Sequence, residues 1–409
     1  MSGDSLIGPS YGSIRLENGT KRARPTFWRK VFIFLSITAA TCFGLTLVVF
    51  ALKSLLETNY TPLQMIPKVK DAEIDLIPLT AKRVAQLGLD VNMDMAGFEE
   101  QSDEMAETTW DIHNTENGGQ DIGEAGSGNG RVKVERLVMV GDVHGQFKQL
   151  KALLRKIRFD SRTDRLLLLG DFIAKGPDSK KVLDFAIQNN VSCVLGNHEY
   201  YVLQYYSRFH RIDSPGFSNT TQQPSFDMPS SKKLLKDPEY RLARSLEPHH
   251  IKYINSCPVI RRLGRVPLHK KSETASHESS EGIAVHAGVR WDLMDNLYDQ
   301  DPGECLEMRS LLGPHYNEST SDPDEPGAVS WSKIFNEKQK ELYKAGKKPF
   351  TVFYGHDARR GLKVKRFTKG LDSGCVKGRE LTASILWREY AKDSKHDVVY
   401  KDKYVKVSC

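Results

Sequence analysis

Residues 165–179 read RLLLLGDFIAKGPDS, and this stretch places a carboxylate at the end of an apolar run. Leu166–Leu169 has the length and composition of a buried strand, and Gly170 and Asp171 follow it directly. A carboxylate beside a hydrophobic core costs free energy unless a cation or a set of hydrogen-bond donors pairs with it. Asp171 is therefore expected to have such a partner.

The sequence on both sides predicts a layered α/β fold. Residues 136–140 (RLVMV) predict a strand, and residues 147–157 follow with apolar side chains on one face of a helix. A second helix is predicted around residues 179–189, after the RLLLL strand. Further strands are predicted at VSCVL, 282–286 and 350–354. Alternation of strand and helix is typical of α/β proteins, so the domain is assigned to that class.

Polar residues follow each predicted strand in a similar way. The motifs are GDVHG (141–145), GD (170–171), GNHE (196–199), HAG (286–288) and GHD (355–357). Because the carboxyl ends of parallel strands meet in one crevice, we expect their polar side chains to lie close together. Those side chains are Asp142, His144, Asp171, Asn197, His286 and His356. Oxygen and imidazole ligands in this mixture suit zinc, manganese, iron or cobalt, and paired ions are the usual clamp for phosphoester hydrolysis.

This ordered set of motifs resembles the calcineurin-like metallophosphoesterases, specifically the PPP phosphatase superfamily, over residues 134–385. The resemblance implies an αββα sandwich, two divalent ions and hydrolysis by a metal-activated water. It implies that Asp142, His144 and Asp171 hold the first ion, and that His198 protonates the leaving oxygen. The residues implied for the second ion are Asp171, Asn197, His286 and His356. Zinc is the expected metal, with manganese, cobalt, iron and magnesium as alternatives.

Two positions depart from the protein phosphatases of this superfamily, which carry Asp-Arg where this chain has Ala174 and Lys175. The aspartate that orients the catalytic histidine in those enzymes is therefore absent. The form GDFIAKGPDS, together with HAGVRW and GHDARRGL, instead resembles the ApaH-like phosphatases. Within that group the architecture resembles the fungal vacuolar endopolyphosphatases. We therefore predict hydrolysis of phosphoanhydride bonds in inorganic polyphosphate. The candidate phosphate-binding residues are Lys175, Arg290, Arg359 and Arg360.

Three other functions stay open at this point. A serine/threonine protein phosphatase would use the same metal centre, but Ala174 and Lys175 speak against it. A dinucleoside polyphosphate hydrolase would apply the same chemistry to a nucleotide-capped chain. An inactive membrane-bound binding protein is a reading of another class, which the complete set of metal ligands disfavours. No nucleic-acid partner is predicted.

A single membrane anchor is predicted near the beginning of the chain. Residues 31–52 contain no charged side chain and are long enough to cross a bilayer as a helix. Six basic residues lie within residues 1–30, so the positive-inside rule puts that tail in the cytosol. The rest of the chain then faces a lumen, as a type II protein of a vacuolar or endosomal membrane. The tail motif Tyr11-Gly-Ser-Ile14 looks like a signal for a sorting adaptor, and Asn219 and Asn317 begin glycosylation sequons.

Composition changes again between this anchor and the first strand motif. Residues 53–130 are rich in acidic side chains and are predicted to form a lumenal stalk, with room for a short ordered piece at 60–91. Residues 131–409 are predicted to form the catalytic domain. The net charge of the whole chain is +7, although residues 60–130 contain four basic and fourteen acidic residues. Residues 131–409 are therefore strongly basic and suit an anionic partner. The six cysteines contain no CxxC pair, which leaves room for one disulfide and argues against a zinc–thiolate site.

Overall fold

The chain divides into two compact units, one ending at Asn59 and one running from Tyr60 to Cys409. The computed structural model describes residues 27–56, 60–71, 74–90, 131–220, 224, 226, 231–268, 275–391 and 396–409. Residues 1–26 of the predicted cytosolic tail (1–30), with its sorting motif, and residues 91–130 of the predicted stalk (53–130) lie outside these ranges.

The first unit contains helix α1 (Phe27–Leu56), which includes the predicted membrane segment 31–52. Within it, Lys30–Val48 has a mean hydropathy of 2.2, and none of that stretch is buried. Among the described residues this is the one helix long and apolar enough to cross a bilayer. Its length and composition fit a membrane anchor or a signal sequence, and its full exposure differs from that of a core helix.

The second unit combines short helices with two large sheets. Its α-helices are α2 (Ala81–Gln86), α3 (Phe147–Lys156), α4 (Ser179–Gln188), α5 (Asn197–His210), α6 (Ser231–Leu234), α7 (Pro238–Ala243), α8 (Pro248–Asn255), α9 (Pro302–Glu307) and α10 (Trp331–Lys344). Single 3₁₀ turns lie at Trp291–Leu293, Leu297–Asp299 and Cys375–Lys377.

The strands follow in chain order. They are β1 (Val69–Lys70), β2 (Ile74–Leu76), β3 (Pro78–Leu79), β4 (Val132–Val134), β5 (Arg136–Val140), β6 (Asp164–Leu168), β7 (Ser192–Cys193), β8 (Ile260–Pro267), β9 (Ala275–Ser276), β10 (Ser279–Val285), β11 (Ser310–Leu312), β12 (Glu318–Thr320), β13 (Ala328–Ser330), β14 (Phe350–Tyr354), β15 (Lys363–Val364), β16 (Thr368–Gly370), β17 (Glu380–Tyr390) and β18 (Val398–Ser408).

Both large sheets are mixed, and each contains a parallel core. One sheet has the order β7-β6-β5-β17-β18-β9, with β3 also paired to β17, and β5, β6 and β7 are parallel neighbours. The other has the order β1-β8-β10-β14-β16-β15, and β10, β14 and β16 are parallel neighbours. Two smaller sheets have the orders β12-β11-β13 and β2-β4. The predicted strands at 136–140 and 350–354 are confirmed with these bounds.

Alternating side chains place the two sheets face to face. Leu137 and Met139 of β5 belong to an apolar cluster shared with Phe353 of the opposite sheet. Val138, between them, faces the other way and packs in the cluster that contains Leu153 of α3. Because side chains alternate along a strand, one face of β5 contacts the second sheet and the other contacts helices. This arrangement confirms the predicted αββα sandwich.

Residues 60–90 differ from the predicted stalk, because they form part of the folded unit. Val69–Lys70 pairs in parallel with β8, and Pro78–Leu79 pairs in parallel with β17. Ile66 is fully buried, and its backbone pairs with the segment around Phe217. These strands contain two or three residues, too few to show the alternation that identifies a strand in a sequence.

Two disulfides form where the cysteine count predicted one. Cys193 at the end of β7 is bonded to Cys257, which follows α8. Cys375 in the third 3₁₀ turn is bonded to Cys409, which follows β18. Both bonds join segments that meet only in the folded chain, so their pairing could not be read from spacing.

A buried ion pair fixes the beginning of the central strands. Arg136 in β5 donates two hydrogen bonds to Asp164 in β6, at 2.9 and 2.6 Å, and both side chains are fully buried. The same guanidinium donates to the carbonyl oxygens of Ile157 and Arg158, at the end of α3. The pair therefore joins two strands to the helix that covers them.

We predict that Asp164→Ala lowers the free energy of unfolding by about 3–5 kcal/mol, because it leaves the Arg136 charge buried and unpaired. The measurement is the guanidinium chloride midpoint of the full chain in detergent. Lys181→Ala is the control, since it breaks an exposed pair with Asp178 and should cost less than about 1 kcal/mol. Equal losses in the two variants would contradict the role given to the buried pair.

Candidate metal centre

The polar residues of the five motifs come from the strand ends of both sheets. Asp142 and His144 follow β5, Asp171 follows β6, and Asn197 begins α5 after β7. His286 follows β10 and His356 follows β14, in the opposite sheet. The site therefore lies where the carboxyl ends of two sheets meet, whereas the sequence argument treated the strands as neighbours in one sheet.

Unusual backbone conformations direct these side chains inward. His144, Asp171 and His356 have φ angles of 46°, 47° and 66°, in the left-handed region that residues other than glycine rarely adopt. Such strain is found mainly where function requires a particular side-chain direction. Gly355 allows the close approach, because a Cβ there would lie 2.1 Å from the Oδ1 atom of Asp142.

Asp171 lies at the centre of two ligand groups. Its Oδ2 atom is 3.6 Å from Nε2 of His144 and 3.7 Å from Nε2 of His198. Its Oδ1 atom is 3.3 Å from Nε2 of His286. Nδ1 of His356 lies 3.2 Å from that same His286 nitrogen. Asp171 thus belongs to both groups of side chains that could hold a metal ion, and it would be shared between them if each group held one.

Backbone carbonyl groups determine which histidine nitrogens face the centre. Nδ1 of His144 donates to the carbonyl oxygen of Ile173 at 3.1 Å. Nδ1 of His286 donates to the carbonyl oxygen of Leu169 at 2.9 Å. With the proton on Nδ1 in both rings, each Nε2 atom presents a lone pair to the centre. Metal-ligating histidines show this arrangement, in which an outer partner fixes the ring.

Glu199, the last residue of the GNHE motif, holds the loop that carries Asp171. It is fully buried and accepts hydrogen bonds from the backbone N–H groups of Asp171, Ile173 and Gly196, at 2.6, 3.1 and 3.0 Å. Burial raises the pKa of Glu199 to about 7, and the charge of Asp171 acts in the same direction. The motif thus supplies a ligand, a histidine and the residue that holds the Asp171 loop.

The carboxylates of the centre repel one another. Burial raises the pKa of Asp142 well above its usual value, and the neighbouring carboxylates of Asp372 and Asp171 raise it further. Burial also acts to raise the pKa of Asp171, but the imidazole of His286 and its neighbours hold it well below its usual value. A cation between these groups would remove the repulsion.

The histidines are mostly held neutral. Burial lowers the pKa of His144 to about 4, although Asp171 acts to raise it. Burial also lowers the pKa of His356 well below its usual value. Burial acts to lower the pKa of His286 as well, but contact with Asp171 leaves it raised. Neutral imidazole is the form that binds a metal ion.

Two features of the centre fit divalent ions. Nε2 of His356 is buried and has no hydrogen-bond partner among the described residues. The side-chain oxygen of Asn197 lies 3.1 Å from Nε2 of His286 and faces only acceptor atoms. A half-turn of the amide would let its nitrogen donate to them, whereas a metal ligand keeps the oxygen inward. Together with the acid and imidazole donors, these atoms suit zinc or a similar ion.

A cavity of ≈ 300 Å³ opens onto the centre. Of the predicted phosphate-binding residues, Lys175 and Arg359 line it. The Nζ atom of Lys175 lies 3.2 Å from Nε2 of His144. Arg359 forms an ion pair with exposed Asp324 at 2.7 Å.

The other two candidates are held by neighbouring carboxylates and are not among the lining residues. Arg290 is paired with Asp292, and Arg360 is paired at 2.6 Å with Asp357. Their predicted role in phosphate binding stays a prediction.

Residues outside the motifs complete the site. Arg309, Asp372 and Lys377 line the cavity. Glu239 in α7 contacts Nδ1 of the His198 ring. Burial acts to raise the pKa of Glu239, but this contact with His198 holds it below its usual value. The strand-end pattern extends to Asp372, which follows β16, and could have identified it. No local signal marked the other three.

A second group of metal-binding residue types lies away from this cavity. It consists of Asp184, His249 and His250, at the contact of α4 and α8. Nε2 of His250 bonds to Asp184 at 2.7 Å, and its Nδ1 atom accepts from the backbone N–H of Glu247. Both nitrogens of His250 are therefore engaged in the helix cap and the ion pair. These contacts account for the clustering of the three side chains without a metal ion.

Comparisons with known proteins agree on one family. The sequence profile described as calcineurin-like phosphoesterase matches residues 135–375. The chain is 32% identical over 288 residues to the zinc-dependent endopolyphosphatase of Saccharomyces cerevisiae, a match that covers 66% of this chain and 80% of that protein.

Bacterial relatives share a second name. A symmetrical bis(5'-nucleosyl)-tetraphosphatase of Methylobacillus flagellatus is 27% identical over 281 residues, covering 60% of this chain and 90% of that protein. A protein of the same name from Wigglesworthia glossinidia brevipalpis is 27% identical over 176 residues, covering 42% of this chain and 52% of that protein.

We predict that Asp171→Asn lowers metal affinity at least about 100-fold, which is the upper end of the loss caused by removing an outer-shell partner. The reason is that Asp171 is shared by both ligand groups. Metal content after dialysis against zinc is measured by elemental analysis, with circular dichroism to follow the fold. Asp184→Asn is the matched control and should leave metal content unchanged. Full metal content in Asp171→Asn would contradict the bridging role.

Proposed function

Because the chain belongs to the calcineurin-like phosphoesterase family, we propose that it is a metal-dependent hydrolase that cleaves phosphoanhydride bonds within inorganic polyphosphate. The observation that carries this proposal is the set of cations around the metal centre. Lys175, Arg309, Arg359 and Lys377 all line its cavity. The endopolyphosphatase name of the yeast relative supports the same substrate.

The arrangement of these cations suits a chain of phosphates better than a single phosphate. Among the described residues, neither Arg309 nor Lys377 is paired with a carboxylate, and Lys377 is exposed. A polyphosphate chain carries a negative charge on each phosphate, so cations beside the centre can bind the phosphates next to the reacting one. Lys175 would turn from His144 toward the substrate when that nitrogen binds metal.

The proposed chemistry divides between the ions and the chain's own residues. Two divalent ions, zinc as the first candidate, would be held by the six motif ligands and would supply Lewis-acid stabilisation and a water of lowered pKa. Lys175 and Arg309 would bind the negative phosphoryl oxygens. His198, whose Nε2 atom lies toward Asp171 and the cavity, would give its proton to the leaving phosphate oxygen.

A phosphate leaving group is already a good one, so this reaction needs less proton donation than hydrolysis of an alkyl phosphate does. Such a substrate also tolerates a lysine at position 175. A lysine ammonium binds phosphate as a point charge, whereas arginine offers a planar fork of donors. Both features favour an anhydride over a phosphoprotein.

We propose that the domain is anchored by α1 and faces the lumen of a vacuole or a related compartment. The two disulfides support an oxidising compartment, because such bonds are rare in reducing cytosol. Asn219 and Asn317, which begin the two sequons, are both exposed. The basic residues before the membrane segment support a cytosolic tail.

The substrate is tested with the full chain in detergent, loaded with zinc. Long-chain polyphosphate should be cut into a ladder of shorter chains on a gel, with little turnover of a phosphopeptide. Diadenosine tetraphosphate is assayed in parallel, because the bacterial relatives bear that activity in their names. Rapid dinucleotide hydrolysis with intact polyphosphate would replace the proposed substrate by the dinucleotide.

The same assay tests the basic cavity. Lys377→Ala should lower kcat/KM for polyphosphate about tenfold, because one charge-assisted contact to a neighbouring phosphate is lost. Turnover of p-nitrophenyl phosphate, which has no neighbouring phosphate, should stay unchanged. Lys348→Ala removes an exposed lysine outside the cavity and serves as the control. Equal losses on both substrates would contradict the proposed contact.

Orientation is tested by glycosylation in a eukaryotic host. We predict that endoglycosidase treatment shifts the mobility of the full chain, because a lumenal domain exposes both sequons to the transferase. The double variant Asn219→Gln/Asn317→Gln should run at the treated position without treatment. Equal mobility of all samples, together with digestion of the domain by protease added to sealed vesicles, would place it in the cytosol.

A further inference from the structure

His198 is the proposed proton donor, and the contacts of its ring decide where its proton points. Its backbone N–H donates to Oδ1 of Asp171 at 3.1 Å, which fixes the first turn of α5. Its Nε2 atom lies 3.7 Å from Oδ2 of Asp171, toward the cavity. Its Nδ1 atom contacts Oε1 of Glu239. The two ring nitrogens therefore face different environments.

Position 174 is an alanine in this chain, whereas the related protein phosphatases have there the aspartate that orients the catalytic histidine. Ala174 is buried and has a left-handed backbone with φ of 65°. Its N–H donates to Oγ of Ser179 at 3.0 Å, so this loop is held by a hydroxyl group. The carboxylate that contacts His198 belongs instead to Glu239 of α7, which follows His198 by 41 residues.

Glu239 is held in place by the packing of α7 against α5. Asp237 caps α7 by accepting from the N–H of Tyr240 at 3.0 Å. The hydroxyl group of Tyr205, on α5, donates to Asp237 at 3.0 Å. Glu239 is 6% exposed and lies in the first turn of this helix. The helix that carries Glu239 is therefore joined to α5, the helix that carries His198.

We propose that Glu239 is the positioning residue for His198, replacing the aspartate that is absent at Ala174. This inference rests on the proposed hydrolytic function. Glu239 accepts from Nδ1–H of the ring, which holds the imidazole plane and directs Nε2 toward the cavity. When the P–O bond to the leaving phosphate breaks, its electron pair stays on the leaving oxygen. That oxygen takes the Nε2 proton, and His198 is left neutral with Nδ1–H still on Glu239.

The test is a double-mutant cycle in the full zinc-loaded chain, with polyphosphate as substrate. His198→Ala should lower kcat about 100-fold, and the nearly isosteric Glu239→Gln about tenfold with KM within about twofold. Glu239→Gln/His198→Ala should be no slower than His198→Ala alone, because Glu239 acts only through that ring. Losses that multiply in the double variant would show that Glu239 acts independently and would overturn the proposal.

A second substrate separates positioning from general structural support. The alkoxide leaving group of glycerol phosphate needs protonation more than a leaving phosphate does, so Glu239→Gln should lower its turnover more than the tenfold expected for polyphosphate. A loss that is equal or smaller on glycerol phosphate would contradict the proposal. Metal content and thermal midpoint are measured for each variant and should match the wild type. Glu239→Gln losses that follow a fall in either quantity would indicate a structural role. Should this variant not fold, Glu239→Asp, which draws the carboxylate back from Nδ1, is used in its place.

Asp184→Asn is the matched control, because Asp184 forms a histidine–carboxylate contact with His250 outside the cavity. It should leave polyphosphate turnover unchanged. The wild-type assay separates the two hypotheses. Wild type that hydrolyses none of the substrates would refute the proposed function, whereas active wild type with fully active Glu239→Gln would refute this inference alone.

Discussion

The concentration of negative charge between two sheets is the constraint on which this structure depends. Asp142, Asp171 and Asp372 line the cavity and lie buried, as does Glu199. Charged groups in such surroundings must be compensated or neutralised. Three backbone N–H groups serve Glu199, and imidazoles surround Asp171, yet Asp142 is left facing like charges. A divalent cation beside Asp142 and Asp171 would supply the compensation that these carboxylates lack, so the proposed chemistry of the site follows from how the sheets end.

The strained loops show how the fold produces that concentration. The packing of the two sheets brings the ends of their strands together, but successive side chains along a strand point to opposite faces. The left-handed turns at His144, Asp171 and His356 redirect the side chains toward one point. Their cost is of order 1–3 kcal/mol each, and the packed sheets on both sides make it tolerable. Rigid sheets and strained turns together hold the ligands in place before any ion arrives.

Sequence alone predicted the parts of this protein that are encoded locally. The strand-end motifs predicted that side chains such as Asp171 and His286 lie close together, because apolar runs and the polar residues after them are read within a few positions. Glu239 was out of reach, since it meets His198 only through the packing of α7 on α5. Lys377 was missed because a 3₁₀ turn after β16 has no periodicity. The short strand at Val69–Lys70 was missed for the same reason, as pairing with a distant strand defines it.

The disulfide between Cys375 and Cys409 makes one wall of the cavity part of the central sheet. Cys375 begins the turn that carries Lys377, and Cys409 follows β18, which pairs with β17 from Glu380 to Tyr390. The wall is thereby crosslinked to the most extensively hydrogen-bonded hairpin of the described residues. Under the proposed function, a basic wall anchored in this way would keep its charge in place beside a bound polyanion. Reduction of the Cys375–Cys409 bond would remove the crosslink between this wall and the hairpin.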